Sequence, residues 1–343
     1  MRVAVASTFV PFIAGGATKI VDDLVGALRE HGHQVDTIAI PFDSRPFEQP
    51  DQLLALRLYD AGETADRLIA IRPPSYLLRH PSKVVWFIHH HRGAYDLWGT
   101  PYQDIPDTPE GRAVREAIVA ADGVGLGEAE RLYANSHVTA DRLRRFNGLD
   151  AEVLYPPLSD TDGFRCEPAE DYVLYPSRIT HHKRQWLAAR AMAHVRSGVR
   201  LVVAGAPDGE HELAHFRHEA AAAGDRVDAE GRWVTEREKR ELLARCLGVV
   251  YVPFDEDSYG YPTLEAFHSG KPVITCTDSG GTLEIVEDGV TGVVAEPEPE
   301  ALAEAIDRLA GDRTAAAAMG RAGRERIDVL GIGWERVVEA LVS

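Results

Sequence analysis

Gly248-Val-Val-Tyr-Val-Pro-Phe-Asp-Glu-Asp-Ser-Tyr-Gly-Tyr-Pro-Thr-Leu-Glu-Ala266 decides the fold. Its opening part, Gly248 to Phe254, is a short apolar run, the pattern of a strand buried on both faces of a parallel sheet. Gly260 marks a tight turn, and Pro262 sits where a helix should begin, because proline lacks an N–H that the first helical turn would leave unbonded. A strand that runs through a glycine turn into a helix aims the helix's free N–H groups back at the turn, which makes a ready anion site. Asp257 enters that place from the strand end and Glu265 from the first helical turn, eight positions later. A phosphate on the helix start, flanked by carboxylates that accept hydrogen bonds from ribose or sugar hydroxyls, is the layout of a nucleotide-sugar site.

Outward from this segment, short apolar runs alternate with helical periodicity over the whole chain. Val3 to Ala6 reads as a buried strand, and Ala17, Ile20, Val21, Leu24, Val25 and Leu28 fall on one helix face that stops at Gly32. Val35 to Ile40, Leu68 to Ile71, Val84 to Ile88, Leu132 to Ala134 and Glu152 to Leu154 are further strands, and a helix runs from Ser136 as N-cap to Gly148. Periodicity stops in the turn-rich stretch Pro156-Pro-Leu-Ser-Asp-Thr-Asp-Gly163 and restarts at Tyr172 to Tyr175. Strands follow near Arg200 to Ala204, Val249 to Val252, Pro272 to Thr275 and Gly292 to Ala295. Helices follow near Arg184 to Val195, Glu236 to Arg245, Pro299 to Ala310 and Trp334 to Val342. The expected fold class is α/β, with two Rossmann-like domains facing a central cleft where the carboxyl ends of both sheets present ligands. The domains are expected at residues 1–160 and 171–325, with a terminal segment 326–343.

Composition narrows the function classes. A formal charge of −17 opposes nucleic-acid binding, which needs clustered lysine and arginine. Residues 1–165 carry 17 basic and 23 acidic groups, so that half is not a basic membrane-binding face either. Arg142, Arg144 and Arg145 are the local basic cluster and read as a solvated helix face. No apolar run is long enough to span a bilayer, so no integral membrane segment is expected. The N-terminus has a single basic residue and a break at Pro11, which suits a strand and loop better than a signal peptide. Cys166, Cys246 and Cys276 lie far apart in no metal or redox pattern, as in a reduced, cytoplasmic protein.

The segment Asp257 to Glu265 resembles the E-x(7)-E signature of retaining glycosyltransferases of the two-Rossmann-domain (GT-B) type, family 4 in particular. Asp257 departs from the pattern, being one methylene shorter than the usual glutamate. The resemblance implies that Asp257 touches the donor sugar and Glu265 the ribose, with donor contacts at Ser258, Tyr259, Gly260, Tyr261 and Pro262. Pro176-Ser-Arg-Ile-Thr-His-His-Lys183 resembles the family's G-R-L-x-x-x-K-G segment, with Arg178 and Lys183 as the cations that face the departing diphosphate. Arg184 stands where the family usually has glycine. Gly15 and Gly16 resemble the glycine loop that approaches the donor phosphates; they do not form a G-x-G-x-x-G dinucleotide fingerprint. Gly205 and Val234 complete the implied donor side, and Trp233 is either a nucleobase contact or core.

His89-His-His-Arg92 follows the strand at Val84 to Ile88, and the resemblance places His89 under the anomeric carbon of the donor, with His91 as a rival. His91, Tyr95 and Asp96 are the residue types that bind polyols and are the candidates for acceptor contact. No third ligand accompanies the histidines, and Asp255-Glu256-Asp257 matches a D-x-D metal motif only superficially, so no metal and no cofactor are expected. The implied function is metal-independent hexosyl transfer from a nucleotide-diphosphate sugar to a hydroxyl on a small-molecule or glycan acceptor. A non-catalytic nucleotide-sugar binder and an inverting transferase or epimerase of the same fold are the alternatives. An NAD-dependent oxidoreductase is opposed by the missing fingerprint.

Overall fold

The structure, a computed structural model, describes residues 1–9, 16–100 and 103–343. Contacts divide the chain into one unit of Met1–Pro157 with Gly333–Ser343 and another of Leu158–Ile332. In order, the first unit contains β1 (Arg2–Phe9), α1 (Gly16–Glu30), β2 (Gln34–Pro41), α2 (Gln49–Leu58), β3 (Arg67–Ala70), β4 (Lys83–Phe87), α3 (Pro109–Gly127), β5 (Arg131–Ala134), α4 (His137–Asn147) and β6 (Glu152–Val153). Among the described residues its sheet is six-stranded and parallel, in the order β2-β1-β3-β4-β5-β6. Its central strands are buried from end to end because helices cover both faces. Even Lys83 is buried in β4, where its Nζ donates to the Tyr76 carbonyl at 2.7 Å and pairs with Glu128 at 3.2 Å.

The second unit contains β7 (Tyr172–Tyr175), α5 (Gln185–Ala191), β8 (Arg200–Val203), α6 (Glu210–Ala220), β9 (Val227–Asp228), α7 (Glu236–Arg245), β10 (Gly248–Val250), α8 (Tyr261–His268), β11 (Val273–Cys276), β12 (Gly292–Ala295), α9 (Pro299–Gly311) and α10 (Arg313–Val329). Among the described residues its parallel sheet has the order β12-β11-β10-β7-β8-β9. α10 runs to Val329 and is closed by a turn with Gly331 at φ 62°, so residues 326–332 stay with this unit. The last helix, α11 (Trp334–Val342), packs on the first unit. There Trp334 meets Trp86 edge-on at 6.3 Å, and Tyr133 and Arg67 donate to the carbonyls of Ala340 and Ser343 at 3.1 and 2.7 Å. No helix among the described residues is long and apolar enough to cross a membrane.

Candidate active site

In the second unit the sheet order reverses between β7 and β10, and ligands of open α/β sheets settle outside the carboxyl ends at such a switch point. The loop that follows β10 is built around Tyr251. Its ring is buried, and a Cβ on Gly260 would stand 2.4 Å from it, at a residue whose φ is 70°. Only glycine satisfies both conditions. Lys183 Nζ donates to the Tyr251 hydroxyl at 2.7 Å, lies 5.1 Å from the ring centroid and forms an ion pair with Glu256. Burial pushes the Tyr251 phenol far above its ordinary pKa, and the charges of Glu256, Glu265 and Asp257 push the same way. Carboxylates from the 256–265 segment are thus arranged around one neutral hydroxyl and one ammonium.

α8 starts at Tyr261, so Pro262 is its second residue, a position equally free of an intrahelical N–H bond. Thr263 Oγ1 donates to the carbonyl of buried Tyr259 at 2.7 Å, and Ser258 Oγ accepts from the Gly260 N–H at 3.4 Å, which fixes the turn. Glu265 is buried and accepts from Lys239 Nζ at 2.6 Å; Lys239 also lies 3.1 Å from Glu236. Burial pulls the Lys239 pKa down, but the Glu265 and Glu236 carboxylates outweigh it and the net shift is upward. Lys239 was not singled out from sequence, although its spacing from Glu236 on one helix was a usable signal.

Arg184 is the other participant that the sequence marked only as a departure. Its backbone is left-handed, with φ 56°, which explains why glycine is the usual residue there. Its guanidinium grips Asp278 at 2.8 and 2.6 Å and donates to the carbonyls of Val252 and Pro253 at 2.7 and 2.9 Å. It therefore ties the end of β10, and the loop that carries Asp257, to the segment after β11. The same loop is held at Glu256, whose carbonyl accepts from the Gly281 N–H at 2.8 Å.

Arg178 follows β7 but is half exposed and pairs with Asp208 at 3.2 Å rather than with the carboxylates around Tyr251. Gly205 supports it through the backbone, since a Cβ there would stand 2.0 Å from the Ser177 carbonyl oxygen. Val234 is buried, whereas Trp233 is 70% exposed and is not core. Gly16 opens α1, and Gly15 lies outside the described residues. Among the described residues no group of three or more histidine, cysteine, aspartate or glutamate side chains is placed to hold a metal ion.

The first unit has a cavity of about 360 Å³ lined by Thr8, Ser44, Gln49, Arg72, His89 and His91, among others. His89 Nδ1 donates to the His90 carbonyl at 2.8 Å. Tyr95 and Asp96, expected at the acceptor, do not line this cavity. Tyr95 is buried and donates to Asp122 at 2.8 Å, and Asp96 lies 2.6 Å from Arg92 and 3.7 Å from Arg142. Asp122 on α3 thus supplies the partner of Tyr95, and Arg142 on α4 a partner of Asp96. Arg142 is accordingly buried rather than solvated, while Arg144 pairs on the surface with Asp141 and Asp150 at 3.1 and 2.9 Å. Asp122 also accepts from Tyr76 at 2.7 Å; burial raises its pKa to about 6 against the pull of both phenols. Burial also lowers the His90 pKa to about 4.

Residues 165–326 match the family described as glycosyl transferases group 1. An alpha-1,3/1,6-mannosyltransferase of Homo sapiens is 30% identical over 292 residues, which span 76% of this chain and 67% of that protein. Solved structures share the fold over 99% of the chain. Sucrose-phosphate synthase from Thermosynechococcus elongatus superposes with a TM-score of 0.76 at 21% identity, covering 96% of that chain. An Anabaena protein solved with UDP and glucose superposes with a TM-score of 0.71 at 18% identity, covering 99% of that chain.

Proposed function

Because this chain belongs to the glycosyl transferases group 1 family, and so transfers a sugar from a nucleotide-sugar donor, we propose that it does so with retention at the anomeric carbon and without a metal ion. The observation that carries this reading is the cluster of Lys183, Tyr251, Glu256 and Glu265 beside the start of α8, which joins cation, carboxylate and helix N-terminus at one switch point. Lys183 and Arg178 face the diphosphate, Glu265 accepts from the ribose hydroxyls and Asp257 from the donor sugar. Ser258 to Pro262, Gly205 and Val234 line the donor. The bond from the anomeric carbon to the β-phosphate oxygen breaks, the acceptor oxygen bonds to the same face, and its proton leaves on the nucleoside diphosphate. His89 and His91 line the cavity of the first unit, on the acceptor side of the reaction. A cytoplasmic reaction is part of the proposal and is supported by Cys166, Cys246 and Cys276 being free.

The test is a calorimetric screen of UDP-, GDP-, ADP- and dTDP-sugars, led by UDP-glucose because the Anabaena relative was solved with UDP and glucose. Mass analysis of acceptor mixtures and proton NMR of the product then follow. Retained anomeric configuration, with turnover unaffected by EDTA, is the expected result. An inverted product, or activity restored only by a divalent cation, would overturn it.

A further inference from the structure

The cavity of the first unit lies at that sheet's own switch point. β1 is flanked by β2 and β3, and Arg72, just past β3, donates through Nη1 to the carbonyl of Thr8 in β1 at 3.1 Å. The guanidinium thus spans the gap where ligands of open sheets bind. It is partly buried, its Nε finds no hydrogen-bond partner, and no carboxylate among the described residues pairs with it. The residues that are not described, 10–15 and 101–102, contain no aspartate or glutamate. This sets Arg72 apart from the buried arginines Arg67, Arg142 and Arg184, which face Glu130, Asp96 and Asp278 at 3.8, 3.7 and 2.6 Å. Burial pulls the Arg72 pKa down, with no acid opposing it.

The neighbouring polar groups also offer protons. Gln49 Nε2 donates to the Ser44 carbonyl at 2.8 Å and lies 3.1 Å from His91 Nε2. An amide nitrogen can only donate, so His91 Nε2 accepts, and the neutral ring carries its proton on Nδ1, which has no partner. Two carboxylates line the same cavity. Asp122 is held by Tyr76 and Tyr95, and Asp104 lies 3.6 Å from His91 Nε2 with its side chain 56% exposed. An uncompensated guanidinium in a cavity calls for an anionic partner, and its planar fork matches carboxylate and phosphate oxygens.

We propose that this cavity receives the acceptor and that Arg72 selects one carrying an oxyanion, a phosphate or carboxylate on a polyol, over the corresponding neutral sugar. The inference rests on the transferase reading for the word acceptor only; the anion preference stands on Arg72 itself.

The full chain tests both separately. Binding of UDP is measured first, in the parent and in Arg72→Gln, and is expected to be equal. Inorganic phosphate, glucose, glucose 6-phosphate and glucuronate are then titrated, with phosphatidylinositol vesicles as the arm that separates a lipid headgroup from a free sugar acid or phosphate. The anionic probes should bind the parent about tenfold or more tightly than glucose. Arg72→Gln should lose that preference, and Arg72→Lys, which keeps the charge but not the fork, should retain part of it. Equal binding of glucose and glucose 6-phosphate, an undiminished preference in Arg72→Gln, or no binding of any anionic probe would overturn the proposal. Loss of UDP binding in the parent with the anion preference intact would instead remove the donor reading.

Discussion

Arg184 offers the sharpest perturbation because two opposing effects meet at one residue. Its left-handed backbone costs an L-residue about 1–2 kcal/mol, which glycine would relieve at an entropic cost of about 0.5–1 kcal/mol. Against that stands the guanidinium, 9% exposed, which closes a bidentate pair with Asp278 and two bonds to the Val252 and Pro253 carbonyls. Breaking one partner of such a pair costs about 3–5 kcal/mol where the site is buried. Asp278 is one-third exposed, so the lower end applies: losing the bonds costs about 3 kcal/mol, the relieved strain returns about 1 kcal/mol net, and Arg184→Gly should loosen the loop by about 2 kcal/mol. Arg184→Ala keeps the strain and loses the same bonds, so it should be worse than Arg184→Gly by about 1 kcal/mol.

A two-domain chain does not guarantee two-state unfolding, so local opening is the right observable. Hydrogen exchange in peptides covering 251–260 should quicken about 30-fold in Arg184→Gly and several-fold more in Arg184→Ala. Adding Asp278→Asn to Arg184→Gly should cost little more, since the two act as a pair. Donor KM should rise in step, because the loop carries Asp257. Unchanged exchange in Arg184→Gly, or Arg184→Ala better protected than Arg184→Gly, would refute the reasoning.

Asp122 keeps its proton in the folded chain up to a pKa of about 6. Between its unfolded pKa near 4 and that value the native state holds more protons, so stability falls as pH rises and levels off above it. Asp122→Asn removes this fall, and its stability relative to the parent should improve by about 2 kcal/mol between roughly pH 4.5 and 7.5, measured by thermal melting; no pH dependence in the difference would exclude the buried protonated acid. Glu265→Gln should lower nucleotide affinity, less for a deoxyribose nucleotide than for a ribose one; equal losses in calorimetry would remove the ribose assignment. Lys183→Ala together with Arg178→Ala should lower turnover more than stability, by charge-assisted bonds of about 1.5–3 kcal/mol each, and unaltered kinetics in the folded double variant would remove the diphosphate assignment. Asp257→Ala should abolish transfer while leaving affinity for the free nucleoside diphosphate nearly intact, because that ligand has no sugar to lose; full transfer by this variant would leave Glu265 as the one functional acid of the pair.

Elements that close on themselves locally were legible in the sequence. α4 starts where Ser136 Oγ accepts from the Thr139 N–H at 2.9 Å and ends at Gly148 with φ 67°, and both signals are single residues in fixed positions. α7 likewise begins where Thr235 caps Glu238 at 3.1 Å. α3, α6 and α10 were missed because alanine, glycine and charged residues dilute their apolar stripe, and α3 spends part of its buried face on Asp122. An acid on an apolar face looks like an error in periodicity until Tyr76 and Tyr95, 46 and 27 residues away, supply its partners. The site divides along the same line. Gly260, Pro262 and the spacing of Asp257 and Glu265 belong to one loop and helix start, so a linear pattern can hold them. Tyr251 reads as one more apolar strand residue, and Glu256 as one acid among three, until the fold brings Lys183 from 68 positions away onto the hydroxyl of the first and the carboxylate of the second. Arg184 lies between these cases: its position carried a sequence signal, the loss of an expected glycine, but the compensation for that loss is Asp278, 94 residues on, and only tertiary structure joins them.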